Sequence, residues 1–355
     1  MIKLQLKATN LPITCIAMAV EFPISRVTPP TTDNIDDKVL REREEETKRV
    51  IFMEKGSSNP ENLAKYIQFP NGYPKMIIEI GVARGGTTAM SKVLACSPSF
   101  DAFGEDILRN AITYPKDQGR DPISIQMPGE NNHVFLKETY GPSTESMISY
   151  YPLLVWQLAA ERAGISEKEF IQKTRVLGVT RDPLAIYNGW LKYWTIIKGL
   201  TSIDEAFEKF GQLSLTNLIA AYNCFSGTVL SALDQGLETN VVVAKMFENS
   251  AQGVEGVIQK ICDKIGIEFT HDMVMFQDSK KEQKIDLYPV SVDSKYKGLH
   301  KQIDDRGFRY LPPNYNYSDE ILPSLQKAGL MQCYRVLHHI AEHTFGQVGL
   351  PSYMT

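Results

Sequence analysis

From residue 75 onward, short apolar runs alternate with longer stretches of helical periodicity, and that alternation leaves few architectures open to the chain. The runs 76–81 (MIIEIG), 101–103, 133–137 (HVFLK), 175–180 (RVLGVT) and 240–244 (NVVVA) read as strands, most of them too apolar to keep one face in water. Helical segments are expected between and after them, at 87–95, 146–164, 184–198, 203–211, 214–235, 252–265 and 319–344. Buried strands joined through helices predict an α/β fold with a parallel central sheet flanked by helices. In such sheets ligands bind beyond the carboxyl ends of the strands, so the residues just after each apolar run are where chemistry is expected.

Residues 1–74 read as an N-terminal extension to a domain spanning 75–355. The extension contains a proline-rich loop at 29–33 and a charged helix at 36–54, where Glu44/Lys48 and Glu45/Arg49 stand at i,i+4. Its apolar stretch at 13–20 is far short of the ~20 residues a membrane span needs. Lys and Arg total 38 against 42 Asp and Glu, a net charge of −4, which excludes the strongly basic footprint of a general nucleic-acid binder. Cys15, Cys96, Cys224, Cys262 and Cys333 are odd in number and form no CxxC pair. That argues against a disulfide framework or a cysteine-rich zinc site, and a cytoplasmic location is expected. His339 and His343 stand at i,i+4 near His338, but no third ligand accompanies them, and they read as ordinary helix residues.

The first strand end carries Gly81-Val82-Ala83-Arg84-Gly85-Gly86-Thr87-Thr88-Ala89. Gly81 and Gly86 match the glycines of the phosphate-binding pattern GxxxxGK[ST], with Thr87 in the lysine position and Thr88 in the hydroxyl position. Glycines let a backbone wrap a phosphate, and the amides opening the next helix point at it. Without the lysine an ordinary ATPase or kinase is not expected; the cation here is Arg84. The same stretch, 79–85, also fits E-x-G-x-x-x-G, the first motif of S-adenosylmethionine methyltransferases, with Asp101, Glu105 and Asp106 at the distance of a ribose-binding acid. On this segment alone both readings stand.

The second strand end separates them. RVLGVT runs into Arg181-Asp182-Pro183, with proline in a favoured first-turn position of the following helix. A guanidinium at a strand end suits a terminal phosphate. Together, Arg84-Gly85-Gly86-Thr87-Thr88 and Arg181-Asp182-Pro183 resemble the 5′-phosphosulfate loop and the 3′-phosphate motif of sulfotransferases that use 3′-phosphoadenosine-5′-phosphosulfate (PAPS). The stretch 241–269, with Phe247-Glu248-Asn249 in a Tyr-Glu-Asp-like position, is similar to a further family segment, and Lys295-Tyr296-Lys297-Gly298 is a weak match to its late basic loop. The resemblance extends over roughly 75–345, but only the two phosphate motifs are specific. It implies a P-loop sulfotransferase-like fold, PAPS as donor, no metal, and a small-molecule acceptor bearing a hydroxyl or amine. It also implies cofactor contacts from Arg84, Gly85, Gly86, Thr87, Thr88, Arg181 and the position of Gly189.

Departures from the family pattern matter as much. The family has a serine where Gly189 stands, with Asn188 and Tyr187 the polar neighbours, and often an aromatic residue where Ala89 stands. Cytosolic members place a base histidine two residues after a strand-end lysine; Lys137 matches the lysine, and Thr139 holds the histidine position. The base is therefore sought among glutamates, with Glu105 preferred over Glu138. These departures also motivate a third reading, a nucleotide-binding protein without catalysis.

Overall fold

A computed structural model describes residues 60–113, 115, 119–141, 152–248, 253–275, 285–287, 308, 313, 315–346 and 348–354. The expected helix at 36–54, the loop at 29–33 and the basic stretch around Lys295 lie outside these residues. The scaffold is a six-stranded sheet in the order β7-β6-β2-β5-β3-β8, with every neighbouring pair parallel. Its strands are β2 (Lys75–Val82), β3 (Ala102–Glu105), β5 (His133–Tyr140), β6 (Thr174–Thr180), β7 (Glu238–Val243) and β8 (Ile285–Asp286). A two-stranded ribbon, β1 (Ile67–Gln68) with β4 (Ile125–Gln126), stands apart. The expected α/β architecture, a parallel central sheet flanked by helices, is what the chain adopts.

The central strand β2 is buried from Met76 to Val82, which explains the apolar run, broken only by Glu79, that announces it. Register alternates its side chains between two covered faces. On one face Ile77, Glu79 and Gly81 look toward α2 (Thr87–Ala95), since a side chain at Gly81 would meet the Thr87 methyl. On the other, Ile80 shares its level with Gly178, which packs against Phe225 and Val229 of α6 (Ile203–Asp234).

Two expected helix boundaries differ. Segments 203–211 and 214–235 form the single helix α6, because Gly211 is a close-packing position rather than a break: the Tyr187 hydroxyl donates to the Gly211 carbonyl at 3.2 Å. The segment 319–344 is instead two helices, α9 (Ser318–Lys327) and α10 (Leu330–Phe345), separated at Gly329, whose φ of 76° a side chain would resist. The described part of the expected helix at 146–164 is α3 (Pro152–Arg162), and α4 (Glu167–Lys173), with Ser166 as its cap, follows it. Helices α5 (Pro183–Lys198) and α7 (Gly253–Ile265) stand close to their expected bounds, and α8 (Asp272–Met275) adds one turn.

The packed core reaches back to α1 (Pro60–Ala64), where Leu63 and Ala64 are fully buried, and to Tyr73, whose hydroxyl bonds to Thr174 at 2.8 Å. Truncating a buried leucine removes transfer energy and leaves a cavity, so Leu63→Ala is expected to lower stability by about 2–5 kcal/mol in denaturant unfolding. An unchanged midpoint would place residues 60–74 outside the cooperative unit.

Candidate functional site

The chain leaves β2 through α2 toward β3 on one side of the sheet and leaves β6 through α5 and α6 toward β7 on the other. Because β2 and β6 are adjacent, with Gly81 opposite Val179, their carboxyl ends open a crevice at a switch of strand order. The 81–88 loop and Arg181-Asp182-Pro183 meet there. Two motifs about a hundred residues apart in sequence thus become neighbours through one strand pair.

The loop is shaped by close approaches. A side chain at Gly81 would run into the Val179 carbonyl, and one at Gly85 would come 2.7 Å from the Val82 carbonyl. Arg84 takes a left-handed conformation with φ 70°, and Gly86, with φ 105°, precedes α2 without any side-chain cap on the helix amides. Thr87 is buried, with its methyl against Gly81; Thr88 stands partly exposed at the helix start.

Helix α5 clasps this loop at three points. The Trp190 indole N–H donates to the Ala83 carbonyl at 2.8 Å. A side chain at Gly189 would come within 2.8 Å of the Arg84 Cβ, and the Arg84 guanidinium lies 5.8 Å from the centre of the Tyr193 ring. The glycine at 189 therefore makes room for the stem of Arg84, a physical reason for the departure from serine. The polar neighbours are engaged elsewhere: Asn188 donates to the Leu184 and Asn316 carbonyls, both at 3.0 Å, and Tyr187 to Gly211. In the aromatic stripe Tyr187, Trp190, Tyr193 and Trp194, three rings are buried and Tyr193 is the partly open one.

At the other strand end Asp182 caps α5, accepting from the Ala185 amide at 2.9 Å. Burial pushes its carboxyl pKa up, against the pull of hydrogen bonds from Tyr353, Ala185 and Tyr315 and of the Arg181 charge.

A row of charge lies under the loop, on the face covered by α2. Glu79, Lys137 and Glu105 are register partners across β2, β5 and β3. The Lys137 ammonium is 2.5 Å from Glu105 Oε1, 3.7 Å from Asp106 and 3.5 Å from Thr88 Oγ1. Burial alone would lower its pKa, but the Asp106 and Glu105 carboxylates outweigh that and hold it raised. Glu105 keeps 22% of its side-chain surface exposed, so it is both anchored and reachable. Glu138 is buried on the opposite face, where its carboxylate accepts from the Leu108 amide at 3.2 Å. Thr139, near the end of β5, has a buried hydroxyl without a hydrogen bond, level with Gly81.

Glu79 is fully buried and neither oxygen is hydrogen-bonded. Desolvation raises its pKa well above 4.5, Lys137 opposes this, and Glu105 and Asp106 add to it. Sequence reasoning saw Glu79 only as a methyltransferase motif letter; its burial in a strand full of isoleucines was the available signal. Among the described residues no group of three or more His, Cys, Asp or Glu side chains is arranged to hold a metal ion, and no helix is long and apolar enough to cross a membrane.

No protein-family model and no curated protein matches the sequence. Among solved structures, the chain is similar to mouse sulfotransferase SULT7A1 complexed with PAP, at 10% identity and a TM-score of 0.46, over 81% of this chain and 95% of that one.

The folded state binds the Glu79 proton more tightly than the unfolded chain does. Its contribution to stability is therefore full below the unfolded-state pKa and is lost as the pH rises toward the folded value. Glutamine cannot titrate, so the stability of Glu79→Gln relative to wild type should increase as the pH rises above the unfolded-state carboxyl pKa. A difference that stays constant with pH, measured by urea unfolding, would contradict a protonated Glu79.

Proposed function

We propose that the protein is a PAPS-dependent sulfotransferase acting on a hydroxyl or amine of a small cytoplasmic metabolite. The observation that carries this reading is the adjacency of the Arg84–Thr88 loop and Arg181-Asp182-Pro183 at the ends of paired strands, which would bring two phosphate-binding groups to one crevice. The cradle suits a 5′-phosphosulfate: side-chain-free backbone at Gly81 and Gly85, an uncapped α2 amino terminus and two threonines. Arg181 would take the 3′-phosphate.

PAPS supplies a sulfuryl group whose sulfur exchanges its bond to the bridging phosphate oxygen, which keeps the electron pair, for a bond to the acceptor oxygen or nitrogen. Arg84 and the α2 amides stabilise the charge that develops on the phosphate. Glu105 takes the acceptor proton, and Lys137 holds that carboxylate in place beside Thr88. Glu138, on the opposite face, is left to hold the main chain at Leu108.

Strand order weighs against an S-adenosylmethionine enzyme. In dinucleotide-type folds the ribose-binding acid stands at the end of the strand next to the glycine loop. Here β5 separates β2 from β3, so Glu105 is two strand spacings away, roughly 9–10 Å. The room that Gly189 gives Arg84 likewise weakens the case for a binding protein without catalysis, since that departure has a packing reason.

Thermal unfolding with 3′-phosphoadenosine-5′-phosphate (PAP) and, separately, S-adenosylhomocysteine tests the reading. PAP at a hundred times its Kd is expected to stabilise the fold by about 2.7 kcal/mol. Arg181→Ala should remove that shift, and Arg84→Ala should abolish transfer. A shift with S-adenosylhomocysteine alone would overturn the proposal.

A further inference from the structure

Residues 348–354 run back along α10, and three side chains of that helix hold their main chain. Glu342 accepts from the Val348 amide at 3.2 Å, His338 in its Nε2–H form donates to the Gly349 carbonyl at 3.3 Å, and Arg335 donates to the Met354 carbonyl at 2.9 Å. Positions 335, 338 and 342 are spaced i, i+3, i+7, one stripe of a helix. His338 is 3% exposed, and Pro351 and Met354 are buried, so the segment is docked rather than draped.

The docking delivers one side chain to the start of α5. The Tyr353 hydroxyl donates to Asp182 Oδ1 at 2.7 Å, and Tyr315, whose ring lies edge-on to Tyr353 at 5.1 Å, donates to Oδ2 at 3.4 Å. Asp182 is 4% exposed, and a buried carboxylate needs donors. The nearest cation along the chain is Arg181.

The geometry points to a latch: the C-terminal segment, through Tyr353 and Asp182, sets the position of Arg181, and Tyr353 is a positioning residue for the 3′-phosphate. The inference rests on the sulfotransferase reading. With the tyrosine donors on both oxygens, the Asp182 carboxylate shares its charge between them and Arg181. Without the Tyr353 hydroxyl, the carboxylate pulls harder on the guanidinium beside it and draws Arg181 away from a ligand.

Calorimetric titration of PAP and of adenosine 5′-phosphate, which lacks the 3′-phosphate, separates the possibilities. Tyr353→Phe is expected to weaken PAP about tenfold, the scale of one hydrogen bond to a charged group, while leaving adenosine 5′-phosphate unchanged. Arg335→Met, which has no donor and so frees the Met354 carbonyl without touching Asp182, should reproduce the selective loss, and it decides the matter if Tyr353→Phe fails to fold. Wild-type preference for PAP retained in either folded variant overturns the latch, as does an equal loss for both nucleotides. If wild type itself shows no preference for PAP, the sulfotransferase reading fails first and the latch falls with it.

Discussion

Everything in this molecule that looks like chemistry depends on the parallel pairing of β2 with β6. That pairing sets Gly81 against Val179 and so places a glycine-rich turn beside Arg181 at the level where both strands end. Neither end is a site by itself. Side by side they bring Arg84 and the uncapped start of α2 to the level where the chain passes into Arg181, and in the proposed function these groups would serve a ligand with two phosphate groups. The loop is held from above by α5, which starts at the second strand end and clasps the first through Trp190, Gly189 and Tyr193. One helix therefore couples the geometry of both halves.

Beneath the loop the sheet tolerates an arrangement that an apolar core would avoid. Glu79, Lys137 and Glu105 stand in one row, and Lys137 can be charged there only because Glu105 and Asp106 lie close to it. Glu79 meets the same constraint from the other direction: with no hydrogen bond to either oxygen, the protonated form is the one that burial favours. Buried charge of this kind contributes little to stability, and it is concentrated toward the strand ends where the glycine-rich loop begins.

Five strands of the sheet were legible because they are nearly continuous apolar runs, whereas the two-residue β8 was not expected, and helix α2 was legible because glycines and threonines mark where it starts. What was hidden followed physical rules that a local reading misses. Gly211 looked like a helix break and is a contact surface for Tyr187; Gly329, inside an apparently continuous apolar pattern, is the break. Leu63 and Tyr73 belong to the core although the segment around them carries little periodicity. At the site, the resemblance to sulfotransferase motifs singled out Arg84, Lys137 and Arg181, and the structure sets the stretches that carry Arg84 and Arg181 at neighbouring strand ends. That resemblance left Glu105 and Glu138 nearly equivalent, since the strand register that turns them to opposite faces follows from pairing with β3 and β2. The link from Tyr353 to Asp182 spans 171 positions and had no local signature.

The most direct measurement is a crystal structure with PAP bound. The account predicts the 5′-phosphate on the amides that open α2, beside Arg84 and Thr88, and the 3′-phosphate within hydrogen-bonding distance of Arg181. A nucleotide seated away from the β2–β6 crevice, or one whose 3′-phosphate points into solvent with Arg181 uninvolved, would contradict it.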